Sequence, residues 1–114
     1  MAIRRRILPV LIAVAPMLSW AASSRAEETT VKIDNFTFNP PMLKVKAGDT
    51  VTFANQDDIP HTVVAMNRAF KSKVMDTGET YAFAFTTAGQ YEYFCSLHPH
   101  MKGTIIVEAE ASQK

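Results

Sequence analysis

Cysteine is almost absent from this 114-residue sequence, which contains only Cys95. A chain with one cysteine can form no internal disulfide, and this excludes the disulfide-stapled scaffolds of small secreted proteins. In an exported protein an unpaired thiol is open to oxidation unless a metal holds it. The role of Cys95 is therefore the first question that the sequence raises.

The sequence also lacks an apolar run long enough to span a membrane. Its apolar stretch, Ile7–Ala22, has 16 residues, whereas a spanning helix needs about 20. Arg4–Arg6 precede this stretch and Ser24-Arg25-Ala26 follow it, which is the layout of a secretory signal peptide. We predict that residues 1–26 are a signal cleaved on export to the periplasm and that residues 27–114 form one domain. A membrane anchor is the alternative.

Positive charge is scarce in the predicted mature chain. Four of the twelve basic residues lie within residues 1–26 and all eleven acidic residues lie beyond them, which leaves eight basic residues against eleven acidic ones. The formal net charge is then −3, and the remaining lysines are scattered among acids. This composition disfavours nucleic-acid binding.

Short segments of alternating apolar and polar residues make up most of the mature chain. Turn residues such as Asn39-Pro40-Pro41 and Ala47-Gly48-Asp49 separate them. Only Arg68–Lys71 suggests a short helical turn. We predict an all-β fold, an antiparallel β-sandwich, with strands in Val31–Ile33, Phe36–Phe38, Leu43–Lys46, Thr50–Phe53, Thr80–Phe85, Tyr91–Cys95 and Thr104–Val107, and one that starts at His61 or Thr62 and runs to Val64.

The two-residue period of a strand decides where the thiol points. Tyr91, Tyr93 and Cys95 fall on one face of their strand. If the tyrosines pack inward, the thiol also points inward. A buried thiolate is costly unless a cation lies beside it.

Chemistry-bearing residues are concentrated in Cys95-Ser96-Leu97-His98-Pro99-His100-Met101. Cysteine, histidine and methionine recur here at three-residue intervals, and Pro99 favours a short rigid loop over a helix. A thiolate, two imidazoles and a weak axial thioether form a blue-copper electron-transfer site. His61, at the start of a β-branched run, is the candidate for the second imidazole. Taken singly, each of these residues is more often ordinary core.

Three segments resemble the cupredoxins, and among these the amicyanins: residues 41–55, 60–63 and 89–103. As in amicyanins, two residues separate His98 from Met101. The resemblance implies an eight-stranded Greek-key sandwich that carries one copper ion, cycling between copper(I) and copper(II). The implied metal ligands are His61, Cys95, His98 and, weakly, Met101, and the implied function is electron transfer, not catalysis. Asn55 is implied to tie the two ligand loops together.

The resemblance also implies weak and transient partners that dock near His98. These are redox donor and acceptor proteins, which in this family include an amine dehydrogenase and a c-type cytochrome. We expect an exposed His98 ring within an apolar collar and His100 on its solvated rim; the candidates for the collar are Leu97, Pro99, Pro60, Met42 and Met66. Leu97 and His100 replace the proline and phenylalanine of amicyanins, so the choice of partner stays open.

Three other hypotheses use the same residues. Cys95 and a histidine could form a nucleophilic pair in an enzyme, although the inward-facing thiol argues against it. A periplasmic copper carrier or metallochaperone could use the site to pass on metal instead of electrons. Zinc could also occupy these ligands, and the visible spectrum of the copper(II) form distinguishes zinc from copper.

Overall fold

The computed structural model describes residue 9 and residues 26–110. Residues 26–110 form eight strands, and no helix occurs in that range. The predicted signal peptide therefore lies almost wholly outside the described residues. The strands are β1 (Glu28–Asp34), β2 (Thr37–Asn39), β3 (Met42–Lys46), β4 (Thr50–Asn55), β5 (Val64–Ala65), β6 (Thr80–Ala84), β7 (Gly89–Cys95) and β8 (His98–Glu108).

Two four-stranded sheets form the sandwich that the sequence predicted. Their strand orders are β2-β1-β4-β6 and β3-β8-β7-β5. Most neighbouring strands are antiparallel, but β1 pairs with β4, and β3 with β8, in parallel. Each sheet is therefore mixed, a detail that alternating patterns could not reveal. In the described part of the chain, no helix is long and apolar enough to span a membrane.

An aromatic cluster fills the space between the sheets. The Tyr93 ring packs edge-to-face on Phe38, with centroids 4.7 Å apart, and on Phe53, at 5.2 Å. Phe70 packs against Phe53 and Phe85 from the segment that connects β5 to β6. Each such pair contributes about 0.5–1.5 kcal/mol beyond its buried area. This packing makes the core rigid next to Cys95, which is fully buried two residues after Tyr93.

The predicted turn at residues 47–49 is confirmed, and Asp49 holds it in place. Its carboxylate accepts hydrogen bonds from the backbone N–H of Glu27, at 2.9 Å, and of Lys46, at 2.8 Å. These two bonds lower the pKa of the Asp49 carboxyl. Gly48 has a φ of 101°, which glycine adopts without strain.

Two sequence predictions near the middle of the chain are wrong. The strand expected from His61 or Thr62 to Val64 is only the two-residue β5, because Ser72 Oγ accepts the N–H of Val63 outside any ladder. His61 instead forms an isolated antiparallel bridge with Met75.

The helical turn expected at Arg68–Lys71 is also absent. Arg68 has a φ of 65° and donates its N–H to the carbonyl of Ala65, at 3.0 Å, which closes a tight turn. The N–H of Ala65 bonds in turn to the carbonyl of Phe70. This reversal places the Phe70 ring in the core, and burial of that ring outweighs the weak local preference for helix.

Gly103 makes room for the largest side chain in the core. It lies opposite Tyr93 in the β7–β8 ladder, and the Tyr93 ring covers the position that a Cβ at residue 103 would occupy. The ring is fully buried, and its hydroxyl has no hydrogen-bond partner among the described residues. A side chain at residue 103 would therefore have to displace a ring that the core holds on all sides.

We expect Gly103→Ala to lower the free energy of unfolding by about 1–3 kcal/mol, the usual effect of overpacking a core. Chemical denaturation of the metal-free protein measures this without a stabilising contribution from metal. Lys102→Ala, on the exposed face of the same strand, is the control and should stay within about 0.5 kcal/mol of the wild type. An equally stable Gly103→Ala variant would show that the ring can move.

Candidate metal centre

The β7–β8 hairpin brings Cys95 and His98 together at one end of the sandwich. β7 ends at Cys95, β8 begins at His98, and the two residues are register partners after an irregularity at Phe94. Only Ser96 and Leu97 separate the strands, so the predicted rigid loop is shorter than expected. Its later residues belong to β8 instead.

His61 reaches the same point from a different segment. Its backbone N–H and carbonyl pair with Met75, at 3.1 and 2.8 Å, and its side chain is fully buried. Nδ1 of His61 lies 3.7 Å from Sγ of Cys95, and Nδ1 of His98 lies 3.6 Å from the same sulfur. The three ligand atoms lie within 4.8 Å of one another. The structure thus brings together three of the four residues that the sequence singled out.

These separations fit a metal ion bound between the three side chains. An ion bound ~2.3 Å from a thiolate and ~2.0–2.1 Å from an imidazole, as zinc is, places those two ligand atoms roughly 3.5–3.8 Å apart at tetrahedral to trigonal angles. The two measured distances fall in this range. One thiolate and two imidazoles are a donor set that suits copper.

Asp57 fixes the orientation of the His61 ring. Its Oδ2 accepts a hydrogen bond from Nε2 of His61 at 2.9 Å, which turns the other ring nitrogen, Nδ1, towards Cys95. Contact with His61, and the backbone N–H of Phe36, lower the pKa of the Asp57 carboxyl to about 2. Sequence reasoning missed Asp57, although a carboxylate four residues before a candidate ligand was an available signal.

The Cys95 sulfur lies in surroundings that favour the thiolate. Burial raises the pKa of the thiol, but the N–H of Thr62, 3.3 Å from Sγ, and the two facing imidazoles outweigh it and lower the pKa to about 6. The inward direction predicted from the strand period is confirmed, since Tyr93 and Cys95 are both fully buried. A deprotonated sulfur is the form that binds metal.

Thr62, not Asn55, connects the two ligand segments. The side chain of Asn55 bonds to Asp57 and Ile59 before His61, and to the carbonyl of Met75. Thr62 Oγ1 instead accepts the N–H of Ser96 and contacts the Ser96 hydroxyl, both at 2.7 Å. The resemblance therefore implied the wrong residue, because Thr62 and not Asn55 ties the two segments together. The bonds of Asn55 fix the His61 segment alone.

Met101 is part of the core, with 5% of its surface exposed. It also lines a shallow surface depression of about 430 Å³ next to the half-buried His98. Of the expected collar, Leu97 and Pro99 line the depression, whereas Pro60, Met42 and Met66 do not. His100 is exposed at its rim, as expected. Phe36 completes the lining and was not predicted, because its pattern suggested a strand residue.

Comparison with known proteins agrees with the resemblance to cupredoxins. A family model described as a cupredoxin-like domain matches residues 8–107. Amicyanin of Paracoccus versutus is 37% identical over 93 residues, which cover 77% of this chain and 70% of that protein.

Solved structures share the fold. The structure of an oxidised amicyanin mutant aligns with a TM-score of 0.67 at 36% identity, over 70% of this chain and 81% of that one. A copper-containing nitrite reductase from Thermus scotoductus aligns with a TM-score of 0.66 at 34% identity, over 70% of this chain but only 22% of the reductase. The same fold therefore occurs within an enzyme.

We expect the Cys95 thiol of the metal-free protein to titrate near pH 6, because Thr62 and the imidazoles stabilise the thiolate. The pKa of an unfolded cysteine is about 8.5. The thiolate therefore stabilises the folded protein fully above about pH 8.5, and this stabilisation is lost as the pH falls towards 6. Ultraviolet absorbance of the thiolate, followed from about pH 4 to 9, measures the midpoint.

Cys95→Ser is the control for this titration, since it removes the only thiol. Its absorbance should show no such transition. A midpoint at the ordinary cysteine value would contradict the expected stabilisation.

Proposed function

This chain belongs to the cupredoxin-like family, and we propose that it is a periplasmic electron-transfer protein that shuttles single electrons between redox partners through one copper ion. The observation that carries the proposal is the cluster of Cys95 Sγ with the Nδ1 atoms of His61 and His98 at one end of the sandwich. Copper supplies, when bound, a one-electron couple between copper(I) and copper(II).

We propose that His61, Cys95 and His98 would hold the copper ion as the three strong ligands and that Met101 would be a fourth, weak one. The first three present their ligand atoms towards a common point. Met101 follows His98 by three residues on β8, is buried, and lines the same depression as His98. A weak, long axial thioether is typical of blue-copper electron-transfer sites.

The protein contributes rigidity to electron transfer. His61 and Cys95 are fully buried, and each is held by backbone pairing, with Met75 and with His98 respectively. Thr62 bonds to the turn that follows Cys95, so the two segments cannot separate freely. Ligands that hardly move between two oxidation states keep the reorganisation barrier low.

His98 is the proposed point of electron entry and exit. It is the only one of the three clustered residues that is not buried, and it opens into the depression next to Leu97, which is 49% exposed. An apolar surface of this kind suits small redox partners, which bind through interfaces below about 1,200 Å². By family resemblance, the partners we propose are an amine dehydrogenase as donor and a c-type cytochrome as acceptor.

The burial of Cys95 argues against the enzymatic alternative. A nucleophilic thiolate has to reach a substrate atom, and Cys95 has no exposed surface. Its sulfur is also surrounded by Thr62, His61 and His98. We therefore propose a carrier and not an enzyme, although the fold also occurs in a reductase.

We propose that residues 1–26 direct export and are then removed. The first strand begins at Glu28, and the N–H of Glu27 bonds to Asp49, so residues directly after the proposed cleavage point are part of the sandwich. The mass of the protein recovered from the periplasm tests this boundary. A mass that includes residues 1–26 would contradict it.

The visible spectrum of the copper(II) form tests the proposed function. We expect an intense blue thiolate-to-copper band that Cys95→Ser abolishes, because no second thiol exists in the chain. His100→Ala is the matched control, since it removes a neighbouring exposed histidine outside the cluster, and it should keep the band. A colourless wild type with bound copper would refute the proposed site, and a blue Cys95→Ser variant would remove Cys95 from it.

Replacement of Met101 tests the axial position. Met101→Gln should lower the reduction potential, because a harder oxygen donor stabilises copper(II) more than copper(I). Met101→Leu, which keeps the bulk but removes the donor, should raise it. Voltammetry measures both potentials. If neither variant differs from the wild type, Met101 is a core residue without contact to the metal.

A further inference from the structure

Phe36 lies in a backbone conformation that does not suit its side chain. Asn35 and Phe36 have φ values of 51° and 58°, and they form the two-residue turn between β1 and β2, where Asp34 pairs with Thr37. Turns with two positive φ values favour asparagine and glycine. A bulky residue there is an outlier, and such residues persist where the surrounding structure imposes them, often at functional sites.

The ring of Phe36 contacts both histidines of the cluster. Its centroid lies 5.8 Å from that of His61, with the rings at 90°, and 5.1 Å from that of His98, with the rings at 86°. Both are edge-to-face arrangements, which are favourable between aromatic rings. The two imidazoles are themselves 5.0 Å apart, so one phenyl ring spans the pair.

One carboxylate oxygen links the turn to the site. Oδ2 of Asp57 accepts the backbone N–H of Phe36 at 3.1 Å and Nε2 of His61 at 2.9 Å. The backbone of Phe36 is therefore fixed relative to the His61 ring. This bond explains how an exposed turn can hold an aromatic residue in a fixed place.

His98 lacks a comparable hydrogen bond. Its Nδ1 faces Cys95, and its Nε2 has no hydrogen-bond partner within residues 26–110. His61, by contrast, is fully buried and bonded to a carboxylate. Of the two rings, His98 thus needs packing to keep its orientation, and the Phe36 ring supplies a contact of defined geometry.

We propose that Phe36 is a positioning residue: its ring holds His98 in the orientation that aims Nδ1 at Cys95. The hydrogen bonds to Asp57 fix the position of the Phe36 backbone relative to His61. The turn between β1 and β2 therefore helps to hold both histidines in place. Only one consequence of this inference, tighter metal binding, rests on the proposed copper function. The orientation of His98 is a property of the metal-free chain as well.

A simple docking role for Phe36 makes a different prediction. Phe36 is 50% exposed and lines the depression beside His98. In a docking role, its ring would contact partner proteins and would not affect the orientation of His98. In that case its removal would leave the His98 side chain as it was in the isolated protein. The rotamer of His98 therefore separates the two roles.

The experiment compares Phe36→Asn and Phe36→Gly with Phe36→Tyr and Asn35→Gly. The first two suit the positive φ and should fold, but they lack the ring. Phe36→Tyr keeps the ring, and Asn35→Gly changes the same turn without touching it. Nuclear magnetic resonance couplings report the His98 χ1 rotamers in each metal-free protein, and competition with a chelator gives the copper(I) affinity.

We expect one His98 rotamer in the wild type, Phe36→Tyr and Asn35→Gly, and averaged rotamers in Phe36→Asn and Phe36→Gly. The copper(I) affinity of the latter two should fall about two- to tenfold, as the loss of one edge-to-face pair predicts. Unchanged rotamers in both ringless variants would overturn the proposal. Equal averaging in Asn35→Gly would assign the effect to the turn and overturn it too. A wild type that binds no copper would refute the proposed function, while the metal-free rotamers would still decide the role of Phe36.

Discussion

A thiolate without access to water is the constraint on which the rest of this structure depends. Cys95 is fully buried, and a buried negative charge is tolerated only with hydrogen bonds or a cation beside it. Thr62 donates its backbone N–H to the sulfur, and two imidazoles face it at 3.6 and 3.7 Å. The proposed copper ion supplies the remaining compensation. The packed sandwich beneath Cys95 prevents the alternative, which is for the sulfur to turn outward into solvent.

The two histidines meet this constraint by different means. His61 is held inside the protein by backbone pairing with Met75 and by the Asp57 carboxylate, so its orientation is fixed by hydrogen bonds. His98 starts a strand at the surface and depends on packing. A buried histidine fixed by hydrogen bonds and an outer histidine held by ring contacts would keep the proposed copper site rigid and leave one edge open to a redox partner.

Sequence reasoning predicted the features that follow from local periodicity and ligand chemistry. The alternation of Tyr91, Tyr93 and Cys95 placed the thiol inward. The three-residue spacing of Cys95 and His98 predicted that these two residues lie together. Sequence reasoning failed where contacts between distant residues determine the structure. β1 and β4 pair in parallel, β5 is reduced to two residues, and Phe70 enters the core through a turn rather than a helix. Phe36 was missed because the two histidines that it contacts are distant in sequence. Asp57 was missed although it lies only four residues before His61.

The wrong prediction for Asn55 shows that one residue stabilises the His61 segment and another connects it to the Cys95 segment. Its buried side chain bonds to Asp57, Ile59 and Met75, all around His61, so it stabilises one ligand segment from within. The link between segments needs a group next to both, and Thr62 meets this condition because it follows His61 directly and lies against Ser96. A short hydroxyl is sufficient here, since the β7–β8 turn brings Ser96 within 2.7 Å of it. The short hairpin thus determines both the relative position of Cys95 and His98 and the kind of residue that can connect this hairpin to the His61 segment.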